Sequence, residues 1–126
     1  GLRAVRAGGA AGHARARRLV DAGWAAVAAL YARLMQVAPS PVVELNRAVA
    51  VAKAQGPQAA LAIVEGLAAE PKLRDYAPLP AVRGDLLQQL GRLDEARVEF
   101  ERAAALTANA RESTVLLARA AACDAA

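Results

Sequence analysis

Residues 79–106 read LPAVRGDLLQQLGRLDEARVEFERAAAL, and this stretch decides the fold. Its apolar spacing predicts two amphipathic helices joined by a tight corner at Leu90-Gly91-Arg92. Small residues, Gly84, Ala96 and Ala103, stand where two helices must approach closely. Bulky ones, Leu87, Leu93 and Phe100, stand where the gap must be filled. The alternation predicts a helix–turn–helix unit that stacks on copies of itself. Gly84 is expected to face Ala96 across the helix pair, because larger side chains would push the helices apart.

Working outward, the same punctuation recurs. Gly56 and Gly91 end equivalent helices 35 residues apart. Ala48 and Gly84, and likewise Ala60 and Ala96, are equivalent small positions 36 apart, so Ala48 is expected near Ala60. Tyr31 and Phe100 are two periods apart. The unit resembles a tetratricopeptide repeat, whose period is about 34 residues. Such arrays usually work by holding other polypeptides. The expected fold is therefore all-α: a tetratricopeptide-like array of antiparallel helix pairs, a short α-solenoid of about six to seven helices.

The remaining helices follow from their caps. Residues 1–20 have helical composition interrupted by Gly8, Gly9 and Gly12, and read as a weak basic helix or tether. Asp21-Ala22-Gly23 is expected to break the chain, with residues 21–126 forming the main helical domain. Trp24 to Val37 is the next helix, with Val27, Leu30, Tyr31 and Leu34 on one face. Ser40-Pro41 restarts the chain as cap and first helical residue. Gly56-Pro57 stops one helix and starts another, expected to reach Ala69. Residues 71–80 read as a loop packed down by Tyr76. Asn109 to Glu112 reads as a capping box before a last helix. The expected core comprises Trp24, Leu30, Tyr31, Leu45, Val49, Leu61, Val64, Leu86, Leu87, Leu90, Phe100 and Leu116.

Composition narrows the chemistry. The chain has 126 residues and a net charge of +4, enough for one domain with a real core. Residues 1–18 carry five arginines and no acid, whereas the rest holds eleven basic residues against twelve acidic ones. Charge runs of this kind are usually solvated, and the helical body offers no basic face with stacking aromatics for nucleic acid. His13 and Cys123 are each alone, which argues against a metal centre or an internal disulfide. The longest apolar run is too short for a membrane span. The chain opens on Gly1 without a signal-peptide layout, and reads as a piece of something longer. No nucleophile constellation, phosphate loop or catalytic carboxylate pair is evident, so no catalysis and no cofactor are expected.

One group of polar residues invites a binding role. Arg47 and Arg83 each precede the small packing position of their helix, so stacking is expected to put both on one wall with Asn46 and Lys53. Two guanidiniums there would suit a carboxylate of a bound peptide. The alternative is local pairing with acids such as Glu44 or Asp85, or bracing of a neighbouring helix. Asn46 is unfavourable in mid-helix and is expected to make a specific bond, interhelical or to a ligand. Trp24 and Tyr31 read as core residues; Gly84, Ala96 and Phe100 read as inter-repeat contacts.

A family resemblance rests on particular segments. These are Asp21-x-x-Trp24, ALYARLM at 29–35, APSPVVELNRAVAVA at 38–52, Gly56-Pro57, LPAVRGDLLQQLGR at 79–92 and LTAN at 106–109. Together they resemble the C-terminal extension of a group of extracytoplasmic-function RNA polymerase sigma factors, a helical domain that follows two promoter-recognising domains. The match is thinner at residues 1–14, where Gly9 and Gly12 replace larger apolar residues. The resemblance implies a bacterial, cytoplasmic, non-catalytic domain that regulates transcription initiation. Its implied partners are protein: sigma domains of the same polypeptide, RNA polymerase or an activator. DNA would be reached only through the sigma domains, and no membrane is involved. The rival is a free-standing adaptor that binds a peptide or protein.

Overall fold

The computed structural model describes the backbone of residues 2–125 and the side chains of residues 11–124. Among these residues the architecture is all-helical. It comprises α1 (Leu2–Val37), α2 (Pro41–Gln55), α3 (Pro57–Glu65), a 3-10 turn (Pro71–Leu73), α4 (Pro78–Gln89), α5 (Leu93–Leu106) and α6 (Ala110–Ala125). Each helix packs on the next, so the chain forms a short array of antiparallel pairs, and α2 also touches α4.

The starts and stops have local causes. Ser40 adopts extended backbone and its hydroxyl accepts from the Val43 N–H, while Pro41 supplies the first helical residue. Gly56 and Gly91 are the glycines with positive φ, at 96° and 76°. Both turn the chain between paired helices, so the repeat equivalence extends to the sign of φ. Asn109 accepts from the Glu112 N–H at 3.0 Å. The Glu112 carboxylate takes its bond from the Thr107 hydroxyl instead, so half of the expected box forms.

The equivalent small positions are all buried. Ala48, Ala60 and Ala96 are fully sealed, and Gly84 is buried with them. The contact at Gly84 differs from expectation: its nearest neighbours belong to Phe100, not Ala96. A Cβ built there would lie 2.9 Å from both Cδ1 and Cε1 of that ring. The reason is geometric, since the ring fills the space that the missing side chain leaves. Phe100 itself is completely enclosed.

Three further expectations are corrected. The break at Asp21-Gly23 is absent, and α1 runs 36 residues without interruption. Gly12 and Gly23 stay at negative φ with nothing within 4 Å of a built Cβ. A lone helical glycine costs only about 1 kcal/mol relative to Ala, which does not end a helix. Next, α3 stops at Glu65 rather than Ala69. A run of tight i to i+3 bonds from Gly66, Leu67 and Ala68 carries the chain into the 3-10 turn, and Leu67 and Leu73 plug the core there. Finally, Leu30 is 66% exposed. The buried side of α1 instead centres on Ala28, flanked by half-buried Trp24, Val27 and Tyr31. Tyr76 packs its loop onto the core as the sequence suggests.

Candidate functional site: a groove between alternate helices

Three helices, α2, α4 and α6, enclose a groove of about 320 Å³. Its floor is apolar, built from Val49 and Ala52 of α2 and from Ala81, Val82 and Leu86 of α4. Its rim is polar: Lys53, Asp85, Gln89 and Arg119. The arrangement follows from the pairing. Helices α2 and α4, one repeat apart, touch directly, and α6 reaches the same groove through Arg119.

Arg119 organises the rim. One guanidinium nitrogen donates to Asp85 at 2.6 Å and to Gln88 at 2.7 Å. The same group lies over the Phe100 ring, 4.4 Å from its centroid. A cation above an aromatic face is attracted by the ring quadrupole, so Arg119 ties α6 to both α4 and α5. Asp85 also accepts from the Gln89 amide at 2.9 Å. With Asp85 neutralised by Arg119, Lys53 is the uncompensated charge of the rim. Among the described residues it makes no ion pair.

The expected wall of four residues is not assembled. Lys53 lines the groove, and Asn46, seven residues earlier, lies on the same side of α2 by helical spacing. Asn46 is exposed and makes no hydrogen bond among the described residues, contrary to its expected specific bond. Arg47 pairs with Glu44 on its own helix. Arg83 points away from the groove, donating to Glu65 at 2.6 Å and lying 3.6 Å from Glu99. Its hydrogen bond to Glu65 raises its pKa above the usual arginine value, against a smaller opposing effect of burial. Arg83 therefore bridges the end of α3 to α5, and Glu99, 7% exposed, is the buried charged residue that needs it. A buried carboxylate without a partner is expensive, so this arginine braces helices. At the α4–α5 corner, Arg92 bonds Glu95 at 2.5 Å and holds that carboxyl below its ordinary pKa.

Sequence reasoning missed Arg119 and the role of Glu99. The signal for Arg119 was its separation from Asp85, 34 residues. Residues one period apart on stacked helices face each other, so an acid and a base at that spacing are candidates for pairing. Glu99 carries no such signal, because its burial depends on how α5 is rotated.

The described residues form a short helix-pair array with an apolar-floored, polar-rimmed groove. No family model and no solved structure matches the chain. It is similar to an uncharacterized protein of Rhizobium meliloti (strain 1021), 49% identical over 112 residues. That match takes in 89% of this chain and 26% of the relative, so the chain spans about a quarter of that protein's length. No helix among the described residues is long and apolar enough to cross a membrane.

Proposed function

We propose that this chain is a non-catalytic, protein-binding regulatory domain of an extracytoplasmic-function RNA polymerase sigma factor, acting in the bacterial cytoplasm. The observation that carries the binding reading is the groove between α2, α4 and α6. It pairs an apolar floor with a free lysine at the rim, which suits a polypeptide segment presenting an acid beside apolar side chains. The sigma-factor reading is supported by the segments at 38–52 and 79–92. It is also supported by a bacterial relative with three quarters of its length outside the match, ample for promoter-recognising domains. The occupant is taken to be the sigma domains of the same polypeptide or a polymerase-associated protein. A charge-assisted contact at Lys53 would contribute roughly 1.5–3 kcal/mol.

The test places Lys53→Glu with Ala81→Arg in the intact parent protein. The first reverses the rim charge and the second blocks the floor. Promoter-specific transcription should change by at least tenfold, about 1.4 kcal/mol, with helicity retained by circular dichroism. Unchanged transcription would rule out the groove as the working surface. A parent without sigma domains would leave the free-standing adaptor as the correct reading.

A further inference from the structure

The array divides into two halves, and the groove lies across the division. Helices α1, α2 and α3 form one half; α4, α5 and α6 form the other. Within each half successive helices pack extensively, whereas α3 and α4 pack far less and α2 meets α4 only lightly. The connections differ in the same sense. Three residues join α1 to α2 and three join α5 to α6, but residues 66–77 separate α3 from α4. The groove takes Val49, Ala52 and Lys53 from the first half and its other lining residues from the second.

One ion pair among the described residues crosses this division, Arg83 of α4 with Glu65 of α3 at 2.6 Å. It lies on the far side of the division from the groove. At ~100° per residue, Arg83 stands about 130° around α4 from the mean direction of Ala81, Val82, Asp85, Leu86 and Gln89. Buried Leu79 falls between those two directions, on the arc where α4 meets the first half. The groove and the ion pair therefore flank a pivot. The pair is also built to yield. The Glu65 side chain is 48% exposed, and Arg83 keeps a second acceptor, buried Glu99, within its own half. Releasing Glu65 thus strands no buried charge. A pair this exposed biases an equilibrium by no more than about fivefold.

We infer that the Arg83–Glu65 pair is a strut: it draws the far sides of the two halves together and so holds the groove open. Without it the halves turn about the α3–α4 contact and the apolar floor closes on itself, because burying that floor is favourable. Groove width is thereby coupled to ionic strength and to any partner that competes for Glu65. An occupant that fills the groove favours the formed pair through the same coupling. This regulatory use rests on the groove being the working surface; the change in width does not.

Pulsed electron–electron double resonance between spin labels reads the movement. Labels at exposed Asn46 of α2 and Ala118 of α6 span the groove side, and labels at exposed Gln58 of α3 and Arg102 of α5 span the other. Every chain carries Cys123→Ala, which removes the native thiol. Glu65→Gln should increase the shorter-distance population across the groove by about two- to fivefold and lengthen the distance on the other side. The unsubstituted pair in about 1 M salt, where the screening length falls to about 3 Å, should move the same way. Glu44→Gln, which removes the pair within α2, should leave both distances alone. Unchanged distances in Glu65→Gln overturn the inference. So does a groove that widens, which would make the pair a simple tether, or a Glu65→Gln chain that loses its helicity. Narrowing of the groove with unchanged promoter-specific transcription by the intact parent would uphold the strut and contradict the groove as the working surface.

Discussion

Replacing Gly84 with Ala puts the α4–α5 packing under direct test. The new Cβ would sit 2.9 Å from two carbons of the Phe100 ring and 3.3 Å from a third. Carbon atoms pack best at about 3.5–4.0 Å, so the ring must retreat by more than half an ångström. It has little room: Phe100 is wholly enclosed, and Arg119 covers one face. Overpacking of this kind costs about 1–3 kcal/mol. Against it stands the gain of about 0.5–1 kcal/mol when a mid-helix glycine becomes Ala. The net is a loss of roughly 0–2 kcal/mol. Gly23→Ala is the internal control, because nothing lies within 4 Å of its Cβ and the helix-propensity gain should appear undiminished. Thermal unfolding by circular dichroism should therefore separate the two variants by about 1–3 kcal/mol, several degrees in midpoint for a domain of this size. If Gly84→Ala stabilises as much as Gly23→Ala, the ring does not lie against Gly84 and the pairing of α4 with α5 is wrong.

The remaining expectations concern other parts of the array. Phe100→Ala should cost about 3–5 kcal/mol in chemical denaturation; a loss below one would show that the ring is not the inter-helix filler. Arg83→Met should destabilise by about 3–5 kcal/mol by stranding buried Glu99, and Glu99→Gln in the same chain should recover most of the loss. Gly56→Ala should cost up to about 3 kcal/mol, because φ 96° with ψ 170° is a conformation open essentially to glycine alone. The Glu95 carboxyl, bonded by Arg92, should titrate below an ordinary glutamate in an NMR experiment. Its depressed pKa means its contribution to stability is present above the unfolded-state pKa and is lost as pH falls through the folded one. Arg92→Gln should return the midpoint toward the normal value.

Much of the fold was legible because its punctuation is local. Ser40-Pro41, Gly56-Pro57 and Gly91 act through backbone conformation and capping, which depend on few neighbours. The 36-residue offset from Ala48 to Gly84 and from Ala60 to Ala96 was legible because close helix packing tolerates only small side chains. What escaped depends on rotation and tertiary partners. The side of α1 that is buried is fixed by where α2 lies, so Leu30 read as core while Ala28 went unnoticed. Asp21-Ala22-Gly23 read as a break because composition does not reveal whether φ is positive. In the candidate site, the sequence put Lys53 and Arg83 on one wall, whereas Lys53 lines the groove and Arg83 takes the alternative of bracing neighbouring helices. The charge on Arg83 is spent on Glu65 and Glu99, and neither acid is near it in sequence. Arg119 was within reach only through the repeat period.

The most direct test of the binding reading is a photocross-linking residue placed at Lys53 in the intact parent protein, with the adducts mapped by mass spectrometry. Adducts in promoter-recognising sigma domains, or in a subunit of RNA polymerase, are the result expected of a regulatory groove. An equivalent residue at exposed Arg111 should give none of them. Adducts confined to the helical array itself, or identical from both positions, would contradict the account.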